Sequence, residues 1–274
     1  MNVTQIEKAT RFRALHERAG AFLIPNPWDI GSARALAGLG FEALATSSAA
    51  SAAANGFRDG GLTREQALAH ARTIVQATDL PVSADLEKGF GDSPEAVAET
   101  IRLAAEAGLV GCTIEDTTGD PSHPLYDFGL AVERIAAGAE AARALPFCFM
   151  LTARSHNLMF ADPSVDETIR RLQAFEKAGA EVLFAPGLPD LGAVEATCSA
   201  LSKPFNFMVG IKGKSFRVGE LAAAGVKRIS LATSLYRAAM TGFLDAVREV
   251  NDTGTFGFLD QSVTTAELYK LMSI

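Results

Sequence analysis

Short apolar runs begin near Ala21, Ala43, Val82, Gly111, Phe147, Val182, Phe205 and Arg228, and the segments between them set Ala, Leu, Ile and Val at helical spacing. The pattern predicts eight strand-helix units. Helix boundaries support it: Ser93-Pro94-Glu95-Ala96 puts a capping serine before a first-turn proline, and Ala107-Gly108 closes that helix on a glycine. Similar closures stand at Leu39-Gly40, Ala178-Gly179 and Ala224-Gly225. Eight alternating units match a (β/α)8 TIM-type barrel, which takes about 250 residues, better than a doubly wound sheet.

No linker, composition break or low-complexity tract divides the 274 residues, so a single barrel domain over 1–274 is expected, with 251–274 as a C-terminal extension. Ser234 to Val250 reads as a long helix, Asn251 to Gly257 as turn-rich, and Thr264 to Met272 as helical again. Phe256, Phe258, Leu259, Leu268 and Leu271 in this tail need a surface, either their own barrel or a neighbouring subunit.

Charge and composition narrow the function. The formal net charge of -7 argues against a nucleic-acid partner, which requires concentrated Lys and Arg. No apolar run approaches the roughly 20 residues that span a bilayer. Met1 to Arg13 is polar and charged, unlike a secretory signal, so a cytoplasmic protein is expected. Cys112, Cys148 and Cys198 lack metal-type spacing and read as reduced thiols.

In such a barrel the active site lies at the C-terminal ends of the strands. Pro81-Val-Ser-Ala-Asp85-Leu-Glu87-Lys-Gly-Phe-Gly91 ends an apolar strand on two acids, and Gly111-Cys-Thr-Ile114 ends the next on Glu115 and Asp116. Carboxylates gathered at neighbouring strand ends repel one another unless a cation neutralises them, and hard oxygen donors suit Mg²⁺ or Mn²⁺. Asp116 is alternatively an orienting group for nearby backbone. Arg154 directly ends the fifth run and offers a planar fork for a substrate carboxylate.

Thr46-Ser47-Ser48-Ala49-Ala50-Ser51 has small side chains that let backbone N–H groups approach an anionic oxygen, or else is a serine-rich turn. His16 and His70 fall on helical stretches as ordinary surface or packing residues. His123 lies in the Gly-, Asp-, Ser- and Pro-containing loop from Thr117 to Phe128, where a lid is able to deliver a proton-transfer group. Gly210-Ile211-Lys212-Gly213-Lys214-Ser215 lacks the earlier glycine of a phosphate-binding loop.

Taken in order, Asn26-Pro27-Trp28-Asp29, the serine run ahead of Gly56-Phe57-Arg58-Asp59, Asp85-Leu86-Glu87-Lys88-Gly89-Phe90-Gly91, Ile114-Glu115-Asp116 and Ala153-Arg154 resemble the isocitrate lyase and phosphoenolpyruvate mutase superfamily from about Phe22 to about Val250. The resemblance implies a (β/α)8 barrel whose terminal helix is exchanged within a homodimer or homotetramer. It implies that Asp85, Glu87 and Glu115 hold Mg²⁺, partly through water, and that Ser47, Ser48 and Arg154 grip a small 2-oxo or 2-hydroxy acid. By the same resemblance Asp59 would belong to a mobile loop near that substrate. The implied chemistry is C–C or C–P bond cleavage through a metal-stabilised enolate; Arg154 and Glu115, with His123 from the loop reading, are the catalytic candidates.

The chain departs from two branches of the superfamily. The Lys-Lys-Cys-Gly-His stretch of the isocitrate and methylisocitrate lyases is absent, and so are the lid lysine and asparagine of the mutases and phosphonopyruvate hydrolases. The expectation is therefore an Mg²⁺-dependent oxo-acid lyase or decarboxylase, with His123, Tyr126 or His156 available as base for a retro-aldol cleavage. Phosphonopyruvate or carboxyphosphonoenolpyruvate chemistry and a non-catalytic oxo-acid-binding protein are the alternatives.

Overall fold

The computed structural model describes residues 3–160 and 163–273; Met1, Asn2 and Ile274, at the ends of the expected single domain, lie outside them. The polar N-terminal stretch forms a helix, α1 (Gln5–Glu17). Thr4 and Glu7 cap it reciprocally: Thr4 Oγ1 accepts from the Glu7 N–H at 3.3 Å, and the Glu7 carboxylate accepts from the Thr4 N–H at 2.7 Å. Its narrow apolar stripe, Ala9, Phe12 and Leu15, packs under the barrel against Phe22, Val110, Met150 and Val182. Burying Phe12 completely contributes about 1.5–3 kcal/mol, so α1 is a floor and not an appendage.

The eight strands are β1 (Phe22–Ile24), β2 (Leu44–Ala45), β3 (Val82–Asp85), β4 (Gly111–Glu115), β5 (Met150–Arg154), β6 (Val182–Phe184), β7 (Phe205–Met208) and β8 (Arg228–Ser230). The helices that follow α1 are α2 (Ile30–Gly38), α3 (Ser48–Ala54), α4 (Arg64–Ala77), α5 (Pro94–Glu106), α6 (Phe128–Arg143), α7 (Val165–Ala178), α8 (Leu191–Ser199), α9 (Val218–Ala223), α10 (Ser234–Thr253) and α11 (Thr265–Met272). All recorded strand pairings are parallel, in the order β1-β8-β7-β6-β5-β4-β3-β2. The seam between β1 and β2 is narrowed by the Ala45 N–H donating to the Pro25 carbonyl at 3.0 Å. Asn26 ties the same corner, donating to the Thr46 carbonyl at 3.1 Å and accepting from the Leu231 N–H at 2.9 Å. This is the (β/α)8 barrel that the alternating pattern predicts.

Outward positions such as Ala84, Ile114, Leu151 and Leu183 pack beneath the helices. The expected Ser93 cap is present, its hydroxyl accepting from the Ala96 N–H at 3.3 Å with Pro94 in the first turn. Three boundaries differ from the sequence reading. β5 starts at Met150 and not near Phe147, because the residues after Pro146 enter the ladder only where Met150 N–H reaches the Val110 carbonyl. The serine run is no turn: Ser47 caps α3, accepting from the Ala50 N–H. α10 continues to Thr253, where Gly254 turns left-handed at φ 69°, and the Glu249 side chain accepts from Thr255, Gly257 and Phe258 to hold the turn.

In the tail, α11 packs on α2 of the same chain. The approach is close enough that a side chain at Gly38 would overlap the Leu271 carbonyl. Phe243, Leu244 and Val247 of α10, with Phe256 and Leu259 beyond it, stay exposed. Among the described residues no helix is long and apolar enough to cross a membrane.

Candidate active site

Strand alternation sends every second residue into the barrel, and here the inward side chains above the apolar floor turn polar. Ser83, Thr113, Asn206, Arg228 and Ser230 line a cavity of about 200 Å³ that opens past Ser47, Ser48, Asp59, Asp85 and Arg154. Barrel interiors are more commonly filled by branched apolar side chains, so this one is built to hold something polar.

Asp85 is placed by strand pairing opposite Thr113 and by its N–H donating to Thr46 Oγ1 at 3.2 Å. Its carboxylate accepts from the Ser48 hydroxyl at 3.2 Å and the Glu87 N–H at 3.2 Å. Arg154 Nη1 lies 3.6 Å from Asp85 Oδ2 and 3.4 Å from Glu115 Oε2. The register sets this, since Glu115 of β4 is directly opposite Arg154 of β5. The guanidinium rests 4.7 Å over the Phe184 ring, and its Nε is buried without a hydrogen-bond partner. A buried cation held by charge alone, with donors unspent, is suited to an incoming carboxylate.

Glu115 does not line the cavity. It accepts from the Thr117 hydroxyl at 2.6 Å and lies 3.0 Å from His156 Nε2, a contact whose angle falls outside hydrogen-bond geometry. Burial acts upward on its pKa, but Arg154, His156 and Thr117 outweigh it and bring it down to about 2. Asp85 moves the other way: burial raises it, opposed by Arg154 and reinforced by Glu115 and Asp59. Glu87 is pushed up to about 7, by burial first and then by the charges of Asp85, Asp59 and Glu115.

The three acids do not converge as expected. Among the described residues no three His, Cys, Asp or Glu side chains are grouped closely enough to hold a metal ion directly. Arg154 reaches both Asp85 and Glu115, and the Glu87 carboxylate leans toward the turn at Gly60. The donor chemistry still fits a divalent cation. Asp59, Asp85, Glu87 and Glu115 outnumber the cations beside them, and their mutual repulsion adds to the burial that raises Asp85 and Glu87.

The turn carrying Glu87 is strained and braced. Glu87 has φ 51° and Phe90 φ 59°, both left-handed, and between them Gly89 at φ 87° takes the remaining sharp bend. Buried Arg134 of α6 donates to the carbonyls of Lys88, Gly91 and Asp92, clamping the turn from behind. Replacing Glu87 by glycine removes strain but lengthens the list of unfolded conformations. Glu87→Gly is therefore expected to leave stability unchanged or raise it by up to about 1 kcal/mol, while lowering divalent-cation affinity. Urea unfolding beside Mg²⁺ titration checks it, and a marked loss of stability would mean that the carboxylate holds the turn.

His123 is not brought to the cavity. Its side chain is 84% exposed and faces Asp120 at 3.8 Å, because the loop folds onto itself through the Thr118 and Asp120 hydrogen bonds. Tyr126 is also engaged elsewhere, donating its hydroxyl to Asp92 with Arg134 4.1 Å over its ring. Asp116 is an orienting group: buried, it accepts from the His156 N–H at 2.8 Å and from Arg171 at 3.2 Å, which fixes the backbone just past β5. His70 packs between Ser51 and the Trp28 carbonyl. Lys214 hydrogen-bonds the Gly187 carbonyl.

Among the residues lining the cavity, Asn206 and Arg228 were not anticipated. Their signal lies in strand alternation, since Arg228 and Ser230 share one face of β8, and Asn206 stands opposite Arg228 on β7.

The sequence profile of the phosphoenolpyruvate phosphomutase family matches residues 12–251. The chain belongs to that family. Its fold superposes with a TM-score of 0.96 on the crystal structure of a lyase/mutase candidate from Burkholderia cenocepacia J2315, at 50% identity and 98% coverage of both chains. It is 31% identical to the oxaloacetate decarboxylase of Ectopseudomonas mendocina (strain ymp), over 89% of this chain and 84% of that one. It is 27% identical to 2,3-dimethylmalate lyase, with a TM-score of 0.86 over 97% and 94% of the two chains. The phosphomutase-family chain is thus an enzyme of the carbon–carbon lyase type within the isocitrate lyase and phosphoenolpyruvate mutase superfamily.

Proposed function

We propose that this family member is a lyase for a small 2-oxo or 2-hydroxy dicarboxylic acid, dependent on Mg²⁺ or Mn²⁺. The observation that carries the reading is Arg154, a buried guanidinium at the cavity with an unpartnered Nε, standing between two carboxylates. Arg154 holds the acid's carboxylate, and Ser47 and Ser48 flank its oxo or hydroxyl oxygen. Asp85, Glu87 and Glu115 would hold the cation, partly through water, and Asp59 would stand beside the substrate at the cavity. Bound there, the cation supplies positive charge opposite the oxygen that becomes negative as a C–C bond breaks.

Loss of CO2 from an oxaloacetate-like acid requires no protein base, which suits a site whose loop histidine points to solvent. Cleavage of a 2-hydroxy acid requires one, and the pairing of His156 with Glu115 at 3.0 Å supports this second reading. His156 accordingly replaces His123 as the proton-transfer candidate. The apolar face of α10, with Phe243, Leu244 and Val247, supports a second copy of the chain as its partner.

A panel of 2-oxo and 2-hydroxy acids, assayed with Mg²⁺ and after chelation, tests the proposal. Turnover of a four-carbon acid that is lost to chelator and restored by Mg²⁺ is expected. Turnover of phosphonopyruvate in its place would move the enzyme to C–P chemistry, and tight oxalate or pyruvate binding without turnover would make it a binding protein.

A further inference from the structure

Arg228 is the anomaly of the barrel interior. It is 4% exposed, yet no acid pairs with it among the described residues. Its Nε donates to Asn206 Oδ1 at 2.8 Å and its Nη2 to Thr152 Oγ1 at 3.0 Å, while Nη1 has no partner. Burial alone draws its pKa down to about 9. The floor beneath offers no anion either: nearby His16 is held neutral, with its pKa lowered to about 3 by burial and then by Arg228 itself. Sealing a guanidinium away from water without a counter-charge is unfavourable by several kcal/mol, and a fold retains such a group most readily where an anion arrives to meet it.

The same cavity is lined by Arg154 near its mouth and Arg228 deeper in. Asn206 and Thr152 hold the inner guanidinium by two of its three nitrogens and leave the third free. We infer that Arg228 forms an inner anion site that takes the second carboxylate of a dicarboxylic acid whose first carboxylate is held by Arg154. The inference rests on the oxo-acid reading above and deepens it: the enzyme selects dianionic over monoanionic acids, and Arg228 is the residue that makes the selection.

Malate and 2-hydroxybutyrate isolate this contact, because they share a 2-hydroxycarboxylate head and differ only in a distal carboxylate against a methyl. With Mg²⁺ present, calorimetric titration of the wild type is expected to give malate about 10- to 100-fold tighter than 2-hydroxybutyrate, the range for hydrogen bonds to a charged group. Arg228→Gln keeps hydrogen-bonding capacity toward Asn206 and Thr152, and the ratio should collapse toward one. Arg228→Lys should restore part of it.

Wild-type protein that binds the two acids equally overturns the inference without needing any variant to fold, and so does a preference that survives in Arg228→Gln. In both cases the oxo-acid reading stands. Failure of the wild type to bind either acid overturns that reading and this inference together.

Discussion

Glu115→Gln is expected to lower kcat/KM by about 100- to 1000-fold at saturating Mg²⁺, the scale on which preorganised charge acts in catalysis. Its apparent Mg²⁺ affinity should fall by about 10- to 100-fold, as for a group that reaches a metal through water. Glu115 is ionised throughout the working pH range, since Arg154, His156 and Thr117 overcome burial and hold its pKa near about 2. The substitution therefore removes one full charge without changing shape. Thr117 is still able to donate to the amide oxygen, and Arg154 retains Asp85 at 3.6 Å, so the fold should survive. Steady-state kinetics with Mg²⁺ titration, beside thermal melting, separates these effects. Full activity in a folded Glu115→Gln protein would remove Glu115 from the site.

That prediction depends on carboxylates whose presence was legible in the sequence but whose arrangement was not. An apolar run ending on an acid locates a side chain at the barrel mouth, because strand polarity and alternation fix both the end and the face. Asp85 and Arg154 were found this way, and both line the cavity. Whether three such acids meet depends on rotamers and on the turn after β3, which no local rule supplies. The left-handed backbone at Glu87 and the rotation of its carboxylate toward Gly60 are tertiary outcomes, braced by Arg134 from a helix more than forty positions away.

His123 shows the opposite error. A loop rich in Gly, Pro, Ser and Asp looks like a lid, but the same residues satisfy one another locally, and Asp120 draws the loop into its own turn. Arg228 was overlooked because a charged residue at the start of an apolar run resembles a strand boundary. Counting by twos from Ser230 would have pointed it inward. The role of the N-terminal helix as a floor was masked by its polar residues, since a stripe of only Ala9, Phe12 and Leu15 is enough to plug a barrel whose inward floor is already apolar.

Arg154→Ala should separate substrate from metal. Two charge-assisted hydrogen bonds to one carboxylate are together worth about 3–5 kcal/mol, so affinity for oxalate or for the turned-over acid should drop by about 150- to 5000-fold. Arg154→Lys should recover only part of this, because an ammonium lacks the planar fork. Mg²⁺ affinity should hold or tighten, since the cation now beside Asp85 and Glu115 is gone and the two acids face each other unscreened. The apo variant should melt lower than the wild type, and Mg²⁺ should raise its melting temperature by more than it raises the wild type's, because a ligand stabilises in proportion to how favourably it binds the folded state. Calorimetric titration with oxalate and with Mg²⁺ reads the two affinities independently. Unchanged oxalate affinity would take Arg154 out of the substrate site, whereas a parallel loss of Mg²⁺ affinity would mean that Arg154 organises the acids and does not compete with the metal for them.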